Sequence, residues 1–352
     1  MVLASKKSYA YWKIEDSWAY DQAMGANGAG NYHLPFNPLL KFNPPLLKYK
    51  EEEIVFFSDE EASLVYTELR ENEETENESI YRGPLLLVHL FPHVVEPGAW
   101  SQTGTNVITA DFSTQSWVNS MAVHLHLHDQ DEGAGNDLER TYKGTRITTY
   151  GWKCDRGKLI KEFWKWKAAT LVEESQAPDM DAGLDDTKFN RTGIDGGFDV
   201  SSQQGPYHAS DVTLTKGGVA IVGLEIEKFT LTINLPDEFI HIYSSRDPQV
   251  RYQGIKGFML TAEGTMSNYT QQTEIEKLHK NKTLDTLQFL LEANNWLQFT
   301  NSYVSKFNFD GIPEAGKPSK FDIEIKGGGS TALDFKWTNT AGPVLDLRTY
   351  IN

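Results

Sequence analysis

The sequence predicts a mainly β protein: two tandem antiparallel β domains, each with a helix, behind an extended N-terminal arm. Three observations predict it. Apolar and polar residues alternate with a period of two in several runs, most cleanly at 121–128 (MAVHLHLH) and 225–235 (EIEKFTLTINL). Turn residues punctuate these runs, among them Gly157, Gly217-Gly218 and Gly327-Gly328-Gly329. A length of 352 residues exceeds one ordinary core, and a 12% aromatic content suits pleated, half-buried surfaces.

Along the chain, residues 1–50 read as the arm. They are rich in Gly, Pro and Asn, lack periodicity, and contain Pro44-Pro45, which blocks a helix. Residues 51–175 read as the first β domain. It opens with a short strand at 52–57 and a helix at 59–71, started by the capping box Ser58/Glu61. The acidic run 71–78 (ENEETENE) follows as a solvated loop. Return strands are expected at 141–152 and 158–166. Residues 176–206, rich in Gly, Asp and Ser, read as a linker or long loop. Residues 207–352 read as the second β domain, with strands at 212–215, 219–222, 225–235, 251–267, 284–291, 297–309, 321–325 and 333–337, and a helix at 271–282.

The formal net charge is −16, split as −9 over residues 1–176 and −7 over 177–352. Acidity spread this evenly opposes tight phosphate binding, which needs clustered cations, yet it suits a surface past which a polyanion slides. It also aids solubility alone. A single cysteine, Cys154, leaves no intrachain disulfide and fits a reducing compartment. The start MVLASKKSYAYWK has no apolar h-region, and no stretch approaches the roughly 18 apolar residues of a membrane span.

Chemistry-bearing motifs are few. His124, His126 and His128 share one strand face with Asp129 nearby, and two of them suit a transition metal. A third needs strong curvature, because alternate side chains on a strand stand nearly 7 Å apart. The alternative is the polar face of a half-buried strand, and no metal or other cofactor is expected. GANGAG at 25–30 lacks the preceding strand and following helix of a nucleotide loop. The paired loop acids Asp237/Glu238 and Asp185/Asp186 read as solvated, and Trp152, Trp164, Trp166 and Trp337 as core or interface packing. No enzyme is expected.

An internal repeat is visible. The strand 123–127, a polar loop and Tyr142-Lys143-Gly144-Thr145-Arg146 parallel the strand 229–233, a loop and Tyr252-Gln253-Gly254-Ile255-Lys256. The stretches 224–278, 120–133 and 141–166, which carry this pattern, resemble phage tail tube proteins of the long, two-domain type. The likeness covers a little over half the chain and leaves 1–110 unmatched.

The resemblance implies tail-tube-type sandwiches whose inner strands join those of neighbours into a barrel around a lumen. It implies stacked rings of the chain itself, three copies giving pseudo-sixfold symmetry. It further implies contacts with other tail proteins (tape measure, terminator, tip or baseplate), viral DNA passing without specific binding, no membrane, and a place in the virion tail after assembly in the host cytoplasm. On that basis the lumen-lining residues are His124, His126, His128, Thr230, Thr232, Asn234, Thr261 and Glu263. The inter-ring contacts are Leu34, Phe36, Leu39 and Leu40. Two other readings stand beside it. One is a β-sandwich binding module of a tail or receptor-binding apparatus, which stays discrete and binds a glycan. The other is a metal enzyme built on the three histidines, which carries stoichiometric metal.

Overall fold

The computed structural model describes residues 9–15, 34–37, 39–54, 64–82, 86, 105–111, 120–127, 138–175, 206–209, 212–217, 219–220, 224–240, 248, 250–254, 257–266, 269–292, 295–309, 318–327 and 332–338. Their strands fall into two successive series. The first is β1 (Tyr9–Ile14), β2 (Leu34–Pro35), β3 (Leu39–Lys41), β4 (Leu46–Ile54), β5 (Leu64–Glu73), β6 (Thr75–Ile80), β7 (Thr105–Asp111), β8 (Met121–Leu127), β9 (Leu138–Asp155), β10 (Lys161–Lys167) and β11 (Thr170–Ser175). The second is β12 (Thr213–Lys216), β13 (Val219–Ala220), β14 (Leu224–Asn234), β15 (Asp237–Ile240), β16 (Val250–Gln253), β17 (Gly257–Met266), the helix α1 (Tyr269–Asn281), β18 (Asp285–Glu292), β19 (Asn295–Phe309), β20 (Ser319–Gly327) and β21 (Ala332–Thr338). The protein is mainly β, and every strand pairing is antiparallel.

The two series repeat one wiring. In the first, ladders run β2-β1-β8-β9-β11 and β3-β6-β10-β9. In the second they run β13-β12-β18-β19-β21 and β14-β17-β20-β19. A self-paired hairpin, β4–β5 or β15–β16, occupies the same place in each. Leu86, helical and fully buried, follows β6 as α1 follows β17. β7 has no counterpart among the described residues and pairs across to β21.

This phase differs from the expected one. Strand β8 corresponds to β18, whereas the sequence repeat set it against β14. Tyr142-Lys143-Gly144 lies inside β9, while Tyr252-Gln253-Gly254 ends the β15–β16 hairpin. Alternation is common to all half-buried strands, so a five-residue match cannot fix register between them.

The long strands β9 and β19 each serve two ladders, and each turns between them at a residue of positive φ: Gly144 at 63° and Asn301 at 51°. Glycine has no Cβ to clash in that region, and Asn is among the residues that tolerate it best. Side chains from the ends of β1 and β12 hold the two turns. The Glu15 carboxylate accepts the Gly144 N–H at 3.0 Å, and the Lys216 ammonium donates to the Ser302 carbonyl at 2.9 Å.

Two expectations fail here. Residues 64–71 of the expected helix form β5, held by its ladder to β4, while 59–63 lie outside the described residues. The acidic run 71–78 is strand, not loop: β6 turns Asn77 and Ser79 inward, both fully buried, and Glu76 and Glu78 outward. The described parts of 1–50 are strands within the chain's own sheets, and the expected linker 176–206 falls almost wholly outside the description.

One apolar core runs through both series. Trp12, Trp152, Trp164 and Trp166 are buried, Phe258 stacks on Phe299 at 4.0 Å, and Trp152 of β9 meets Phe289 of β18 edge-on. Packing is tightest where β9 passes β14. A Cβ on Gly151 would lie 2.1 Å from the Leu231 carbonyl oxygen and 2.5 Å from the Phe163 ring. Replacing Gly151 with alanine is therefore expected to cost about 1–3 kcal/mol, read as a lower denaturant midpoint with an unchanged slope.

Candidate assembly site

Eight strands lie side by side in the order β3-β6-β10-β9-β14-β17-β20-β19. Alternation gives this sheet one apolar and one polar face. On β14, Phe229, Leu231 and Ile233 are buried, while Lys228, Thr230, Thr232 and Asn234 are half-buried or exposed. Register carries the polar face across the sheet: Thr230 stands between Lys153 and Thr261, and Lys228 between Asp155 and Glu263. Next come Asp322 and Glu324 on β20, then Lys306 on β19. Carboxylates and ammoniums are mixed along it, with Glu263 opposite Asp322 and with the ion pairs Lys306–Asp322 at 2.5 Å and Lys326–Glu324 at 2.9 Å.

Five of the eight expected lumen residues, Thr230, Thr232, Asn234, Thr261 and Glu263, share this face. The histidines are elsewhere. His124 sits on β8, in the other ladder, fully buried with Nδ1 3.0 Å from the Thr141 hydroxyl. His126 pairs with Tyr9 and Glu139 on the same strand, and His128 lies outside the described residues. No cluster of three or more His, Cys, Asp or Glu suited to a metal occurs among the described residues.

The centre of the sheet is the β9–β14 ladder, running from Asp155–Lys228 to Thr149–Asn234 and joining the two series. The two outermost strands present the complementary halves of the same joint. Strand β3 stands where β14 stands, and its far edge meets no described strand. Strand β19 stands where β9 stands. His279 and Lys282 reach its Val304 and Ser305 carbonyls, and beyond them Lys306–Phe309 pair, among the described strands, with β20 on one side. Leu39 and Leu40 on β3 and Phe309 on β19 are exposed. Pro44 and Pro45 follow β3, where an edge strand tolerates missing donors.

Of the four residues expected between rings, Leu39 and Leu40 thus lie on this edge. Phe36 is a core residue of its own chain, stacked on Trp164 at 5.6 Å, and Leu34 pairs with Trp12 in β2.

Two buried polar groups anchor the sheet. Asp237, expected to be solvated, is buried and accepts the Arg146 Nε at 2.7 Å, tying the β15–β16 hairpin to the turn of β9. Glu162 of β10 accepts from Asn37, the Ser79 hydroxyl and the Tyr150 hydroxyl at 3.1, 2.7 and 2.8 Å, binding residue 37 and β6 to the centre. The signal for Glu162 was present in its strand phase, which puts it on one face with Trp164 and Trp166; for Asp237 it was absent, since its partner lies 91 residues away.

No family model matches the chain, and no curated protein matches it. Among solved structures, a chain of the native gene transfer agent virion aligns with 36% of this chain and 97% of its own at 11% identity and a TM-score of 0.29. A tail chain of the empty gene transfer agent particle aligns with 35% of this chain and 96% of its own, at 10% identity and a TM-score of 0.29. Hcp1 from Flavobacterium johnsoniae aligns with 34% and 96%, at 17% identity and a TM-score of 0.20. Among the described residues no helix is long and apolar enough to cross a membrane.

Burial raises the Glu162 carboxyl above its ordinary value of about 4.5, outweighing the three donors that favour its charge. The folded state therefore holds this proton where the unfolded chain has released it. The stabilisation is full below about 4.5 and is lost as pH rises through the raised value. The stability of the wild type relative to Glu162→Gln should fall as pH rises above about 4.5 in denaturant melts, and a constant difference would contradict the assignment.

Proposed function

We infer that the chain is a structural subunit of a virus tail tube, assembling edge to edge into closed rings that stack around a channel for genome passage. One observation carries the reading: the β9–β14 joint is built inside the chain, and its two halves recur at opposite ends of the same sheet, where β3 and Lys306–Phe309 of β19 meet no further described strand. An exposed strand edge is adhesive, and a contact between different surfaces of identical copies either closes a ring or runs into a filament. Joining β19 of one copy to β3 of the next repeats the in-chain geometry, so the turn made within the chain is made again between chains.

Three copies of an eight-stranded sheet give twenty-four strands with pseudo-sixfold repetition. At about 4.8 Å per strand the wall is about 115 Å around before tilt, which leaves a wide bore. The polar face, with its mixed charges and hydroxyls, suits the inner wall, since it offers a passing polyanion no sustained cation track. A structural rather than catalytic role, a place in the virion tail with assembly in the host cytoplasm, and contacts with other tail proteins belong to the same reading.

The test is a paired cysteine substitution, Leu40→Cys with Asn308→Cys, in a chain carrying Cys154→Ser. Concentrated protein should show rings by negative-stain microscopy, and oxidation should yield covalent trimers on a non-reducing gel. Rings without cross-linked trimers would move the contact to other strands, and a chain that stays monomeric at high concentration would refute the reading.

A further inference from the structure

Strand β7 is the one described strand that stands outside the repeat. In the second series residues 282–284 alone separate α1 from β18, so no strand fits at that place. In the first series β7 is inserted between Leu86 and β8. It pairs with β21 along its whole length, from Thr105 opposite Thr338 to Asp111 opposite Ala332. Residues 333–336 of β21 also pair with β19, so β7 and β19 lie on its two edges.

The place of β7 in the fold follows from its neighbours. Leu297 and Phe299 of β19 have β18 on one edge and β21 on the other. Strand β18 is the neighbour that faces the chain's centre, since its Phe289 packs on Trp152 of β9 and Phe229 of β14. Strands β21 and β7 therefore lie outward, one and two strands past β19. Strand β8 takes in the first series the place that β18 takes in the second. It lies one strand from β9 in the opposite sense, away from the second series.

Asp111 ends β7 and Ser120 leads into β8, and the nine residue steps between them reach at most about 30 Å. Inside one chain the connection runs from two strands outside β19 to one strand outside β9. The turns of β9 and β19 are four strand spacings apart, through β14, β17 and β20. The whole path is seven spacings of about 4.8 Å, or about 34 Å along the sheet. One chain closes the pair only with its sheet curled to bring those ends together. In the ring, β19 is followed by β3, β6, β10 and β9 of the next copy, again four spacings. Both offsets then point toward each other, and one spacing of about 5 Å remains.

We propose that in the assembled ring β7 of each copy leaves its own β21 and pairs with β21 of the copy before it, so that an exchanged strand clasps every junction between chains. This rests on the ring reading above. The occupant is a second copy because the register between β7 and β21 is already built into the chain. Exchange keeps the same backbone hydrogen bonds and changes only which copy supplies them, a low-cost way to join identical chains. It also accounts for the lack of such a strand in the second series. There β11 and β12 belong to one polypeptide, which tethers the β9–β14 seam covalently. Junctions between copies have no such tether, and β7 supplies one.

The test uses the full chain carrying Cys154→Ser and either of two register pairs, Thr109→Cys/Asp334→Cys or Val107→Cys/Lys336→Cys, whose backbones stand within disulfide distance. Rings are scored by negative-stain microscopy, folding by circular dichroism and links on non-reducing gels. When rings of a double variant are oxidised, the cysteines should join copies into covalent trimers. Equal mixtures of Thr109→Cys chains with Asp334→Cys chains should give covalent dimers, which a pair within one chain cannot produce. Oxidised while dilute and then concentrated, a double variant is locked to itself and should form at least about tenfold fewer rings until reductant is added. Rings whose chains are linked only internally, rings with no link from either pair, or locked chains that assemble like the wild type would overturn the proposal and leave the rings standing. Where a double variant fails to fold, the mixed single-cysteine chains decide. A wild type without rings would overturn the ring reading and this one with it.

Discussion

Backbone hydrogen bonding at strand edges governs this molecule. Every strand interior satisfies its N–H and C=O groups by pairing, and a sheet that does not close must leave two rows of them open. Among the described strands the open rows are those of β3 and of Lys306–Phe309 in β19, and the chain contains, between β9 and β14, a worked instance of how such rows are satisfied. The remaining features serve that ladder. Gly151 lets the two backbones and the Phe163 ring approach, and Trp152, Phe229 and Phe289 fill the space beneath it.

The turn inside β9 and β19 is what makes two layers from one set of strands. A strand that passes from one ladder to another needs a local break, and in both series the break is a single residue in the left-handed region, supported from the end of β1 or β12. The chemistry of the stabiliser is inverted between them. Glu15 supplies a carboxylate to an amide, and Lys216 supplies an ammonium to a carbonyl. Burial pushes the Lys216 amine down to about 8 against the pull of Asp285, so this support comes from a weakly basic group. Equivalent positions in the two series have thus kept the geometry and changed the means.

The sequence displayed its strands where one face is apolar. The runs around β8, β14, β19 and β20 stand within a few residues of their expected places, as does α1. It concealed strands whose inward residues are polar. In β6 the buried positions are Asn77 and Ser79, satisfied by hydrogen bonds from the Asn43 amide and to Glu162, so no hydrophobic period marks it. In β5, Leu64, Val65 and Leu69 fit a helix as well as a strand, and only the pairing with β4 decides. The two open edges were hidden for a related reason: whether a strand has a second neighbour depends on contacts far away in sequence. Polar alternation on β14 and β17 placed five residues on one face, whereas the same alternation on β8 misled, because that strand is covered on both sides.

Fusing the two series into one polypeptide changes how their shared ladder behaves on dilution. Strands β9 and β14 meet at an effective concentration set by their tether, so their union is a folding event and not a bimolecular one. That seam therefore keeps its strength where protein is scarce, and the entropy of bringing its two halves together is met once, during synthesis of a single chain.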